Sequence, residues 1–319
     1  MKKLFVLSVI FLLIVSGCTN DNQQTAHNNN QNKKTIKIGY LPITHSANLM
    51  MTEQVRQQAK ESGYNLKLVR FNNWPDLMDA LNSGKIDGAS TLIELAMKSK
   101  QKGSNIKAVA LGHHEGNVVM GQQGKKVSDF HKHENYSFAI PHRYSTHYLL
   151  LEEMRKQLGL NAKDFSYHEM APAEMPAALN EGRISGYSVA EPFGALGEKL
   201  GKGETIQHGS DIIPDAYCCV LVLRDDLINN HTDAAKAFIS DYKKAGYKMK
   251  NKKQSVDIMD KHFKQNRDVL KQSAKWTSYG DLTIEEKGYS KIKKLINEHR
   301  LFKAPDYNEF IDPTLYKEG

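Results

Sequence analysis

Two stretches of this 319-residue chain, Leu81–Thr91 (LNSGKIDGAST) and Leu179–Val189 (LNEGRISGYSV), repeat one another and decide how the rest is read. Across ten aligned positions six residues are identical: Leu81/Leu179, Asn82/Asn180, Gly84/Gly182, Ile86/Ile184, Gly88/Gly186 and Ser90/Ser188. Lys85 and Arg183 keep the charge. Unrelated helix-to-strand turns sharing common turn chemistry would match less densely, so the repeat points to an internal duplication and to equivalent surfaces on two lobes.

The flanking segments extend the match. TIKIGYL (35–41) and YSFAI (136–140) are apolar, β-rich runs stopped by Pro42 and Pro141, which lie 99 positions apart, while Leu81 and Leu179 lie 98 apart. Ser46 opens a helical stretch through Ala59, and Ser145 opens THYLLLEEMRKQLG, closed by Gly159. Strands follow at Asn65–Phe71 and Phe165–Met170, and short helices end at Leu81 and Leu179 with Gly84 and Gly182 as caps. Strands at Ile86–Thr91 and Ile184–Val189 complete a β-α-β-α-β unit in each half, with a further strand at Ile106–Leu111 in the first. Such alternation predicts parallel sheets and an α/β fold. After AYCCVLVLRDDL (216–227), a strand and turn, the chain is predicted to be mostly helical, with a Pro-punctuated aromatic tail packing over a lobe.

The first residues bound where such a body would work. Lys2 and Lys3 precede an apolar run from Leu4 to Val15, too short to span a bilayer, and Val15-Ser16-Gly17-Cys18 places small residues directly before a cysteine. The pattern resembles a bacterial lipobox, which implies residues 1–17 as a signal peptide and Cys18 as a diacylated, palmitate-type anchor on an extracytoplasmic lipoprotein. Two acyl chains hold a protein at a membrane where one does not. Residues 18–34, polar and without aromatics, read as a disordered tether whose sixteen residues after Cys18 reach on the order of 20 Å.

The formal charge of +8 falls to +6 without Lys2 and Lys3, and its lysines alternate with acids, so a nucleic-acid groove is not expected. Besides Cys18 there remain only Cys218 and Cys219, adjacent in an apolar run, where buried thiols are expected rather than a disulfide. No GxSxG, HExxH or GxxxxGK[ST] occurs, and GEKLGKGE has the wrong spacing for a phosphate loop. Neither an enzyme nor a cofactor is expected.

Together the lipobox, the Asn/Gln-rich leash, IKIGYLPITHSANLMM (36–51), LNSGKIDGAS and YSVAEPFGA (187–195) resemble the solute-binding lipoproteins of ABC importers of the nitrate/sulfonate/taurine/bicarbonate type, a group that also includes binders of the thiamin pyrimidine precursor. The resemblance covers essentially residues 35–319. It implies a two-lobed periplasmic-binding-protein fold of type II, with residues 35–117 plus 219–319 as lobe 1 and 118–218 as lobe 2. Hinge crossings are expected near 117–121 (NVVMG) and 214–218 (PDAYC). It further implies a monomer that passes a small anionic solute to ABC permease subunits.

In open parallel sheets ligands sit beyond the carboxyl ends of strands, where helix N-termini suit anions. Two such loops would face each other: Thr44, His45 and Ser46 in one, Arg143, Ser145, Thr146 and His147 in the other. Hydroxyls and imidazoles can donate to an oxyanion and Arg143 can fork onto a sulfonate. Equally, Thr44 and Ser145 can be plain helix caps. The strand end that runs from Thr91 to Glu94 and the one at Glu191 each carry a carboxylate, for a ligand amine, as in taurine, for a metal, or for a salt bridge. Trp74 can wall the cleft or fill core, and with Tyr144 would stack on a heteroaromatic solute.

In LGHHEGN (111–117), His113 and Glu115 can share a side, but two ligands make no metal site without others such as His45 or His147, and no metal is expected. A hydrogen bond to an anion from one of the histidines, His113 or His114, is expected instead. The leading expectation is therefore capture of an alkanesulfonate or taurine. A pyrimidine precursor comes second, and an enzyme or signalling lipoprotein on the same fold third.

Overall fold

Strand β1 (Lys34–Tyr40) opens a computed structural model that describes residues 33–59 and 63–318. The expected signal peptide, the expected anchor at Cys18 and most of the expected tether fall outside the described residues. From β1 a 3-10 turn (Thr44–Ser46) leads to α1 (Ala47–Gln58), β2 (Tyr64–Arg70), α2 (Trp74–Asn82), β3 (Gly88–Leu92), α3 (Ile93–Gln101) and β4 (Ile106–Leu111). The chain then crosses through the two-residue β5 (His114–Glu115) into β6 (Asn117–Gln122). There follow β7 (Tyr136–Ile140), α4 (Thr146–Gln157), β8 (Phe165–Glu169), α5 (Met175–Asn180), β9 (Gly186–Ala190), α6 (Phe193–Lys199) and β10 (Gly203–His208). The return runs through α7 (Gly209–Ile212) to β11 (Cys219–Arg224). The rest is α8 (Asp225–Asn230), α9 (Thr232–Lys248), α10 (Lys252–His262), α11 (Arg267–Trp276), β12 (Thr277–Ser278), α12 (Glu286–Glu298), α13 (Tyr307–Phe310) and α14 (Thr314–Glu318).

Two five-stranded sheets form the lobes, in the orders β2-β1-β3-β11-β4 and β10-β6-β9-β7-β8. Each repeat contributes three parallel strands, β1, β2 and β3 in lobe 1 and β7, β8 and β9 in lobe 2. The sheets are mixed rather than purely parallel, because a strand arriving from the other lobe inserts antiparallel beside the third: β11 against β3, and β6 against β9. NVVMG is therefore a core strand of the second sheet, and the crossings between sheets are the segments 112–116 and 209–218.

The duplication holds bond by bond. Gly84 N–H reaches Leu81 O at 3.1 Å and Gly182 N–H reaches Leu179 O at 3.0 Å, each glycine at a left-handed φ (+75° and +71°) that only glycine adopts without strain. Lys85 N–H to Ala80 O (3.0 Å) and Arg183 N–H to Ala178 O (2.9 Å) close the same turn. The second glycines serve the inserted strand: a Cβ at Gly88 would lie 2.5 Å from Val222 O, and one at Gly186 would lie 2.4 Å from Met120 O. Both identities in the motif thus follow from backbone demands that recur once per lobe.

Helix α2 begins as its sequence suggests, with Asn73 accepting from Asp76 N–H at 2.9 Å and Pro75 in the first turn. Among the described residues no helix is long and apolar enough to cross a membrane. The tail packs on lobe 1, where Asp312 N–H bonds Ala108 O (2.9 Å) at the β4 edge. Helix α11 lies between lobes, packed on α10 on one side and α6 on the other.

Candidate functional site

The 3-10 turn after β1 and the start of α4 after β7 meet between the lobes, and both crossings pass beside them. His45 and His113 stack with ring centroids 3.3 Å apart and planes 8° from parallel, and His147 lies 6.4 Å from His45. All three rings are buried. His45 Nε2 lies 3.3 Å from Gly116 O and His113 Nδ1 lies 2.6 Å from Glu115 O. A carbonyl only accepts, so these ring atoms carry the protons and leave His45 Nδ1 and His113 Nε2 as bare lone pairs. Neither bare atom has a protein partner, nor has either nitrogen of His147. Cys218 and Cys219, reduced and buried, bring their sulfurs to 3.9 Å from one another. One donor atom from each of His45, His113, Cys218 and Cys219 lies within 4.8 Å of all the others.

Carboxylates flank this cluster. Thr146 donates to Glu94 Oε1 (2.6 Å) across the lobes and sits 2.8 Å from Tyr217 O, while Glu94 Oε2 is unpartnered. On the other strand end, Glu191 Oε2 accepts from Ser273 Oγ (2.8 Å) and Ala195 N–H (3.2 Å), and Oε1 is unpartnered. Thr44 N–H bonds Glu191 O at 2.8 Å, another link between lobes.

Burial favours the neutral forms of the three histidines, the two carboxyls and Cys218. It drives His45 well below the usual imidazole range, helped by His113 and His147, and takes His113 and His147 down to about 3. It lifts Glu94 and Glu191 to about 7 and the Cys218 thiol well above its ordinary value. No Lys or Arg contributes to either carboxylate's shift. The cluster is thus rich in lone pairs and holds no fixed cation among the described residues.

Several anticipated residues stand elsewhere. Arg143 is exposed, stacked 4.8 Å from the Tyr148 ring centre, with its N–H on Glu169. Its charge stays on the surface of lobe 2, so it forks onto nothing in the cleft. Ser46 returns its hydroxyl to Ile43 O (2.9 Å), and Ser145 caps α4 by accepting from Tyr148 N–H at 3.2 Å. Thr91 spends its hydroxyl on the Met78 sulfur at 3.3 Å. Trp74 is buried at the start of α2 with its indole N–H unpartnered, and no ring contact among the described residues joins it to the histidines. Thr44 accepts from Thr277 Oγ1 at 3.0 Å instead of capping a helix. Glu115 adopts a left-handed φ of 58°, which offers His113 a carbonyl and not a carboxylate. Of the anticipated set, His45, His113, Thr146, His147, Glu94 and Glu191 gather here.

Cys218, Cys219, Ser273 and Thr277 were not anticipated. The cysteine pair was the one visible signal, since two thiols in a strand leading out of a crossing lie at a hinge by position. Ser273 and Thr277 come from α11 and its C-terminal end, more than 80 positions from the groups they meet, and local pattern does not reveal them.

Among known proteins, the NMT1-like family matches residues 29–260. A solved structure from Staphylococcus aureus, described as the ligand-binding component of an ABC-type import system with zinc bound, is 70% identical and superposes with a TM-score of 0.88 over 89% of this chain and 98% of that one. The periplasmic nitrate-binding protein NrtA of Synechocystis shares the fold at 18% identity, with a TM-score of 0.77 over 89% and 88% of the two chains. The bicarbonate transport ATP-binding protein CmpC of Synechocystis is 24% identical over 229 residues, 65% of this chain and 34% of that protein. The chain spans about a third of the length of that relative (34%).

Proposed function

We propose, from the premise that this chain belongs to the NMT1-like family, that it is the solute-binding component of an ABC-type import system and not an enzyme. The observation that carries this is the origin of the cleft side chains. His45, Glu94 and Cys219 come from lobe 1, Thr146 and His147 from lobe 2, and His113 and Cys218 from the crossings. All are buried, so the lobes must part to admit a solute and close upon it. Binding to groups on both lobes biases an open–closed equilibrium, and a permease can read the closed form. In this reading Cys18 tethers the body outside the cell membrane, within reach of permease subunits.

The alkanesulfonate or taurine anticipated from the resemblance finds weak support in the electrostatics. An oxyanion in this cleft would meet neutral imidazoles and two carboxyls, with Arg143 outside, and a buried charge without compensation is costly. A solute bearing positive charge is matched by the same groups. Zinc, with which the S. aureus relative is described, is of that class. A pyrimidine precursor loses its stacking partners, since Tyr144 packs edge-on against Phe302 with ring centres 5.4 Å apart.

Native mass spectrometry of the protein purified from its own cells, paired with small-angle scattering, tests the import role. One solute per chain, released chemically unchanged, with a smaller radius of gyration when it is restored, is the expected result. Turnover of the solute, or an unchanged radius with and without it, would refute the proposal.

A further inference from the structure

We infer that the solute is a zinc-class divalent metal ion, taken as cargo by His45 Nδ1, His113 Nε2 and the thiolates of Cys218 and Cys219; this rests on the solute-binding role proposed above and names its substrate class.

Three geometric facts carry it. First, the donor set is two imidazoles and two thiols, the mixed nitrogen–sulfur set that selects zinc and its neighbours over hard cations such as magnesium or calcium. Second, the spacing fits. With bonds of about 2.0 Å to nitrogen and 2.3 Å to sulfur, the edges of a tetrahedral site run from roughly 3.3 to 3.8 Å. The two sulfurs already stand 3.9 Å apart, and one donor atom from each of the four residues lies within 4.8 Å of the others. Third, the tautomers are set for the task. Gly116 O holds the Nε2 proton of His45 and Glu115 O holds the Nδ1 proton of His113, the outer hydrogen bonds that aim metal-binding imidazoles. The ring nitrogens left over are buried and have no protein partner. The two rings also stack face to face with centroids 3.3 Å apart, which keeps both imidazoles at the cluster.

His147 and Glu94 complete the surroundings. Their unpartnered atoms sit beside the cluster, and Thr146 joins Glu94 to lobe 2. Metal binding displaces the two thiol protons, which leave to solvent as the lobes open or close, and no oxidant or reductant takes part.

The test uses the full body stripped with EDTA and titrated with zinc sulfate and, separately, cobalt chloride. Unmodified protein is expected to bind one cobalt ion with tetrahedral visible bands and a sulfur-to-cobalt charge-transfer band. Cys218→Ser and Cys219→Ser should each diminish that band. His45→Ala and His113→Ala should each weaken zinc by more than about 100-fold, beyond the 10–100-fold typical of losing an outer partner. The spectrum of the unmodified protein stands even if a variant fails to fold. Cobalt bound without the sulfur band, or zinc affinity unchanged in folded His113→Ala, would overturn this assignment. Failure to bind zinc in a protein that carries an organic solute one-to-one would overturn it while sparing the import role. Neither zinc nor any solute bound, with no change in scattering, would sink both.

Discussion

Glu191 shows how much a single buried carboxyl governs. Its carboxyl is held near 7 by burial, well above the value near 4.5 it has when exposed. The folded protein therefore binds more protons than the unfolded chain between those values. The stability this group contributes is full below about 4.5 and is lost as pH rises through about 7. In metal-free protein, urea unfolding at pH 5 and pH 8 should show a loss on the order of 2–3 kcal/mol attributable to this group, and Glu191→Gln should flatten the difference by that amount. A Glu191→Gln protein as pH-sensitive as the parent would show that the carboxyl is ionised throughout. Individual residues were legible in the sequence where the backbone made the demand. Gly84 and Gly182 had to end helices in left-handed turns, and Gly88 and Gly186 had to admit a neighbouring carbonyl, so each left an identity in both copies. The cleft side chains obey no such recurring constraint. His45 and His147 match as Thr-His pairs, yet Thr44 turns to Thr277 while Thr146 turns to Glu94.

At the scale of elements, α4 carries the most. Its first turn supplies Thr146 and His147, its N-terminus is capped by Ser145, and its later turns hold Glu152 and Glu153 against lobe 1. Ser145→Ala removes the acceptor for Tyr148 N–H and should cost about 1 kcal/mol of stability, seen as a lower urea midpoint at unchanged slope. Because Thr146 and His147 sit in the frayed turn, solute affinity should fall about 3-fold as well, measured by calorimetry with zinc. Loss of stability without loss of affinity would mean that α4's first turn is held by the cleft and not by its cap. The helices flanking the parallel strands were readable from period and caps. Helix α3 is not, because Ile93 follows β3 with no Gly or Pro to mark the change, and so Glu94 looks like a strand end in sequence while it lies in a helix's first turn. Strand β10 and the antiparallel insertions are not legible either, since the order of strands in a sheet depends on pairing between segments far apart in sequence, from Gly121↔Gly186 to Leu223↔Gly88.

For the whole molecule, the closed arrangement is held at its rim as well as at its centre. His299, just past α12 in the lobe 1 segment, is almost fully buried with Nε2 2.6 Å from Glu153 Oε1 and Nδ1 3.7 Å from Glu152 Oε2. Both acids ride on α4 of lobe 2, so this contact exists only while the lobes are together. Removing the imidazole leaves no orphaned charge: Glu152 keeps Arg155 at 2.9 Å and Glu153 keeps Lys156 at 2.9 Å. His299→Ala should therefore spare the fold of each lobe and act on closure alone. A contact of this kind is worth about 1 kcal/mol, which shifts the open–closed ratio roughly 5-fold. Release of bound zinc to a chelator should then quicken by about that factor, with the rate of capture little changed, because encounter takes place in the open form before His299 and α4 meet. Small-angle scattering of the metal-free variant should show a larger radius of gyration than the parent. If release and radius both match the parent, the lobes are held by the cleft alone, by Thr146 on Glu94 and by Thr44 N–H on Glu191 O, and Thr146→Val becomes the variant that opens them.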